Sequence, residues 1–115
     1  MSDANRRKAR LQEELNRILP IIQKQYQPER IILFGSLVAG TVGPWSDLDL
    51  AIIKRTRRRF LDRILDVTNL VGAGPAADFF VYTPEEFIAM AKDNYFVREE
   101  IITKGKILYE KNQIH

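Results

Sequence analysis

Ile31-Ile32-Leu33-Phe34-Gly35-Ser36, then ten residues, then Asp47-Leu48-Asp49-Leu50-Ala51-Ile52-Ile53, is the stretch on which the reading of this chain turns. Its first part is a continuous apolar run, short enough for a buried strand and stopped by Gly35. Ser36 suits an N-cap, so a short helical turn is expected through about Ala39, followed by the loop Gly40-Thr41-Val42-Gly43-Pro44. The second part alternates with period two. That sets Leu48, Leu50 and Ile52 on one face of a strand and Asp47, Asp49 and Ala51 on the other. One strand therefore ends where glycine lets backbone N–H groups approach an anion, and the next carries two carboxylates that offer a seat for a divalent cation. A phosphate and a metal together point to nucleotide chemistry.

Along a strand the rise is about 3.3 Å per residue, which puts the Asp47 and Asp49 Cα atoms about 6.6 Å apart with side chains pointing the same way. Two such charges repel unless a cation neutralises them, or unless they lie on an exposed edge strand and are simply wet. Asp78 adds a third carboxylate, in the apolar run Ala77 to Tyr82 that reads as another strand. In a mixed sheet it can lie beside the first pair, and three carboxylates on one face meet the demand of two-metal phosphoryl chemistry. Alone, Asp78 reads equally as a surface residue after a Gly-Pro loop. Gly40 can serve the same close approach to phosphate as Gly35, and Ser46 can add a hydroxyl donor.

Working outward, Leu11, Leu15, Ile18, Leu19, Ile22 and Tyr26 recur at helical spacing, so Asp3 to about Gln25 reads as an amphipathic helix covering a sheet. Pro20 marks a kink or restart, and Pro28 ends the helix. Phe60, Leu61, Ile64, Leu65, Thr68 and Val71 line a second helical stripe, closed by Gly72-Ala73-Gly74-Pro75. Thr83-Pro84-Glu85-Glu86 carries a capping threonine, a proline at the first helical position and a capping-box glutamate, and a helix with Phe87, Ile88 and Met90 follows. A last helix is expected from Phe96 to Thr103, ending at Gly105 before a short edge strand, Ile107 to Tyr109. This order predicts an α/β (α+β) fold, a small mixed β-sheet backed by helices. Residues 1–27 form the N-terminal helix and residues 31–109 the core of a single domain, 1–115.

The composition agrees. At 115 residues, 45% apolar and 29% charged, the chain fits one globular domain with a modest core. It has neither the roughly 20 apolar residues that cross a bilayer nor a signal-peptide core, so a cytoplasmic location is expected. With no cysteine, disulfides and thiolate zinc sites are excluded, and the single histidine, His115, is terminal. A metal must then sit on carboxylates, which favours Mg²⁺ or a similar hard cation. The net charge of +3 is concentrated at Arg6-Arg7-Lys8, Arg10 and Lys54 to Arg59. Such clusters suit nucleic acid, nucleotide phosphates or an acidic protein face, and equally a solvated helix end and loop. Neither block interleaves aromatics, which argues against a stacking platform for single strands.

The pattern Leu33-Phe34-Gly35-Ser36, ten residues, Ser46-Asp47-Leu48-Asp49-Leu50, and a later Asp78 in an apolar strand resembles the nucleotidyltransferase superfamily of DNA polymerase β. More narrowly it resembles the minimal nucleotidyltransferases, over about Ile31 to Tyr109. The resemblance implies the nucleotidyltransferase fold and a metal-dependent transfer of AMP from ATP to a hydroxyl. In it Asp47 and Asp49 bind two Mg²⁺ ions, Asp78 binds one and helps take the acceptor's proton, and Gly35 and Ser36 hold the triphosphate. It further implies an antitoxin that adenylylates a tyrosine of a HEPN-class RNase toxin, in a hetero-oligomer with that partner. The chain departs from its relatives by carrying Leu37-Val38-Ala39-Gly40 where arginine is common, and the basic loop Lys54 to Arg59 is the candidate replacement. Two competing readings are a catalytically weak module that silences a partner by covering it, and a nucleotidyltransferase for small molecules, which usually needs an extra substrate domain.

Overall fold

The computed structural model describes residues 2–72, 74 and 76–111. Ala73 and Pro75 of the expected closing loop, and the terminal His115, lie outside the described residues. Helix α1 spans Asp3–Ile21 and runs on as a π-helical turn, Ile22–Tyr26, with Pro20 inside it. Ser2 caps its start by accepting from the Asn5 N–H. Leu11, Leu15, Ile18 and Ile22 are buried on its inner stripe, as the helical spacing predicts. The chain leaves the helix where Gln27, at φ 54°, turns left-handed just before Pro28.

Among the described residues four strands follow: β1 (Arg30–Phe34), β2 (Leu48–Ile53), β3 (Ala77–Tyr82) and β4 (Lys106–Glu110). They form one sheet in the order β3-β2-β1-β4. β1 pairs antiparallel with β2 and β4, whereas β2 and β3 are parallel. The mixed sheet is therefore as expected. The parallel pair needs a crossover, supplied by helix α3 (Phe60–Val71).

Period-two alternation divides the core between the two faces of the sheet. Leu48, Leu50 and Ile52 of β2 join Ile31, Leu33, Phe79 and Val81 under α1 and α3. Ala51 and Ile53 turn the other way and join Ile32, Phe34 and Tyr82 under helix α4 (Pro84–Asp93) and a π-helical segment, Val97–Thr103. The capping box at Thr83 and Glu86 forms as the sequence predicts. The last helix is π-helical over Val97–Thr103, with Phe96 before it already helical as expected, and Asn94 Oδ1 accepts from the Val97 N–H.

One stripe is placed differently. Helix α3 turns Arg63, Val67 and Val71 inward, whereas Leu61 and Leu65 are 71% and 57% exposed. Arg63 can take the inner position because every edge of its guanidinium is used. It donates to the Arg58 and Val81 carbonyls and to both carboxylate oxygens of Glu86. Hydrogen bonds of this number offset much of the cost of burying the charge, and the stem packs like an apolar side chain.

Candidate active site

The turn after β1 and the first residues of β2 and β3 meet at one end of the sheet. In the parallel pairing Asp49 stands opposite Asp78, and in the antiparallel pairing Phe34 stands opposite Asp49. Asp49 and Asp78 are thus neighbours on one rung, on the face opposite Leu48 and Leu50, beyond the apolar floor under α4. Gly35 follows Phe34 directly and closes over Asp49. A Cβ at position 35 would overlap Asp49 Oδ2, and the backbone there has φ 83°. Only glycine meets both demands. The structure therefore brings Gly35, Asp49 and Asp78 together from three segments of the chain.

Asp47 stands just ahead of the strand rather than in it. The strand begins at Leu48, whose N–H bonds to the Ala76 carbonyl at 3.1 Å, so Asp47 lies one residue before the ladder. Its Oδ1 is 3.6 Å from Arg7 Nη2 of helix α1. Arg7 also donates through Nε to the Ser46 carbonyl at 2.8 Å, pinning the loop that delivers Asp47. Sequence reading missed Arg7 as a site residue. Its signal was present: Arg7 extends the buried Leu11, Leu15, Ile18 stripe by one helical turn, where a solvated charge would not be expected.

Ser36, Gly40 and Ser46 lie in the connection between Gly35 and Asp47, and the cap is corrected. Ser36 is the first residue of the one-turn helix α2 (Ser36–Ala39), and Gly35 is its N-cap. Gly40, at φ 76°, ends that turn, its N–H bonded to the Ser36 carbonyl, and open space surrounds its Cβ position. The left-handed turn accounts for this glycine within the fold. Ser46 Oγ accepts from the Gly43 N–H at 2.8 Å, which closes the loop and leaves its O–H to donate. The basic loop Lys54 to Arg59 is remote. It follows Ile53, at the end of β2 opposite Asp49, with several strand residues between. Its side chains serve the fold: Lys54 Nζ donates to the Tyr26 carbonyl, Arg55 reaches Glu29 and Glu85, and Arg58 pairs with Asp66.

Charge is concentrated at the rung. The Asp49 carboxyl is pushed up to about 6, first by burial and then by the charges of Asp78 and Asp47. Among the described residues no group of three or more His, Cys, Asp or Glu side chains stands in an arrangement that holds a metal ion. The donor chemistry nevertheless fits a hard divalent cation, because the donors are all carboxylate oxygen and their mutual repulsion is what a cation relieves. Asp49 and Asp78 would hold it, with Asp47 joining on release from Arg7.

A sequence model described as "Polymerase beta, Nucleotidyltransferase" matches residues 16–114. Among solved structures, a chain from Sulfolobus solfataricus described as a "putative nucleotidyltransferase" superposes with a TM-score of 0.67 at 16% identity, covering 98% of this chain and 92% of that one. At that identity the likeness concerns the fold. No curated protein matches the chain. Among the described residues no helix is long and apolar enough to cross a membrane.

Proposed function

Since this chain belongs to the polymerase beta nucleotidyltransferase family, we propose that it transfers a nucleoside monophosphate from a nucleoside triphosphate to a hydroxyl acceptor. The observation that carries this reading is the shared rung of Asp49 and Asp78 beneath Gly35. The acceptor oxygen attacks the α-phosphorus, the bond from that phosphorus to the bridging oxygen breaks, and pyrophosphate leaves with the bonding pair. Asp78, the exposed member of the rung, takes the acceptor's proton. Asp49, part-buried, supplies fixed negative charge to the cation seat. Gly35 leaves the backbone open to the phosphates. A divalent cation bound by these carboxylates supplies electrostatic stabilisation of the charge developing on the transferring group.

The finer reading follows the family resemblance. The triphosphate is ATP, the cation Mg²⁺, and the acceptor a tyrosine of a HEPN-class toxin, which the chain silences as a cytoplasmic antitoxin. The test incubates purified chain with α-labelled ATP, Mg²⁺ and the product of the adjacent gene. Label is expected on the partner, and Asp49→Asn or Asp78→Asn should each lower transfer by at least 100-fold, about 3 kcal/mol of transition-state stabilisation. Partner neutralised equally by both variants with no label moved would replace transfer with simple covering. Unchanged turnover in Asp78→Asn alone would remove Asp78 from the site.

A further inference from the structure

A cavity of about 300 Å³ lies between α2 and the end of the π-helical segment, lined by Gly35, Val38, Ala39, Glu100 and Lys104. Gly35 belongs to this cavity and to the carboxylate seat at once, since the space of its missing Cβ is filled by Asp49. The cavity and the carboxylate rung therefore share Gly35 as a common wall. Among the described residues that line it, Lys104 is the one cation. Arg7, the cation at Asp47, is already bonded to the Ser46 carbonyl.

Lys104 is exposed, and its Nζ lies 3.1 Å from Glu100 Oε1 one turn earlier. A solvent-exposed pair of this kind is held weakly and exchanges its partner readily for a more highly charged one. A triphosphate is such a partner, and a lysine ammonium on a flexible stem binds phosphate as a mobile point charge. Glu100 then acts as a placeholder that keeps the ammonium beside the cavity until phosphate arrives.

We propose that Lys104 is a phosphate-binding residue of this cleft, leaving Glu100 to contact the outer phosphates of a nucleoside triphosphate whose α-phosphate lies at Gly35 and Asp49. The inference rests on the nucleotidyltransferase reading and adds to it a cation drawn from the far end of the chain.

The test measures binding in Mg²⁺ by calorimetry and by the fluorescence of Trp45, the only tryptophan, which is 91% exposed two residues before Asp47. The probes are ATP, AMP and inorganic tripolyphosphate. Lys104→Ala should weaken ATP and tripolyphosphate about tenfold and leave AMP within about twofold. Lys104→Arg should retain most of the affinity, and Glu100→Gln should bind tripolyphosphate more tightly than wild type. If wild type binds ATP and Lys104→Ala binds it equally, or if AMP is weakened as much as ATP, the Lys104 assignment falls while the nucleotidyltransferase reading stands. If wild type binds no triphosphate, both fall together.

Discussion

Gly35 shows how much of the site rests on one absent side chain. Its φ of 83° and the position of Asp49 Oδ2 each exclude a Cβ. Gly35→Ala should therefore cost about 2 kcal/mol in denaturant unfolding and lower transfer at least 100-fold, because Asp49 must move to make room. A variant with wild-type turnover would show that Asp49 is free to shift. At this scale the sequence was partly legible. Gly35, Asp49 and Asp78 stand out because glycine and acidic residues inside apolar strand runs are conspicuous. Arg7 was legible only as a charge in line with the buried stripe of α1, and its contact with Asp47 was not, because it reaches across a helix and a loop and one sequence carries no direct sign of a contact between residues so far apart.

Among the elements, α3 depends on one buried cation. Arg63 ties it to β3 through the Val81 carbonyl and to α4 through Glu86. Arg63→Ala empties a buried position and takes a donor from the Val81 carbonyl, while Glu86, 42% exposed, is rehydrated, so the variant should destabilise by about 2 kcal/mol at neutral pH. Arg63 lowers the Glu86 pKa below its ordinary 4.5, with the Thr83 N–H adding to the effect. The stability from that ionised Glu86 is present above about pH 4.5 and lost as pH falls through the lowered folded value, so the gap between wild type and Arg63→Ala should narrow in acid. Denaturant midpoints at pH 7 and pH 3 check both parts. The same contact explains why the inner stripe of α3 was misread. Phe60, Leu61 and Leu65 are apolar and recur at helical spacing, and nothing local to the helix reveals that a charge is satisfied by two later elements. Strands and the α4 cap were legible because alternation and capping chemistry are local.

At the scale of the whole molecule, the carboxylate rung costs stability. Asp49 titrates near 6 in the fold and near its ordinary 3.8 when unfolded, so the folded state holds its proton more tightly. The stability linked to that proton is full below about pH 3.8 and lost as pH rises through 6. Without added cation, Asp49→Asn should be the more stable protein at pH 8, by about 1 kcal/mol after allowance for solvent screening, with the difference closing by pH 4. Unfolding at both pH values tests this, and an asparagine variant weaker at pH 8 would refute it. The strand order carries a further consequence, in time rather than in space. β1 is an inner strand, yet its partner β4 is the last of the four to be synthesised. While the chain emerges from the ribosome, the apolar edge of Ile31 to Phe34 stands open with β2 already beside it, and it closes only when Lys106 to Glu110 arrives. A chain arrested before Lys106 would present that edge to its neighbours, so translational pausing between β3 and β4, more than any change at the carboxylates, would expose it to aggregation.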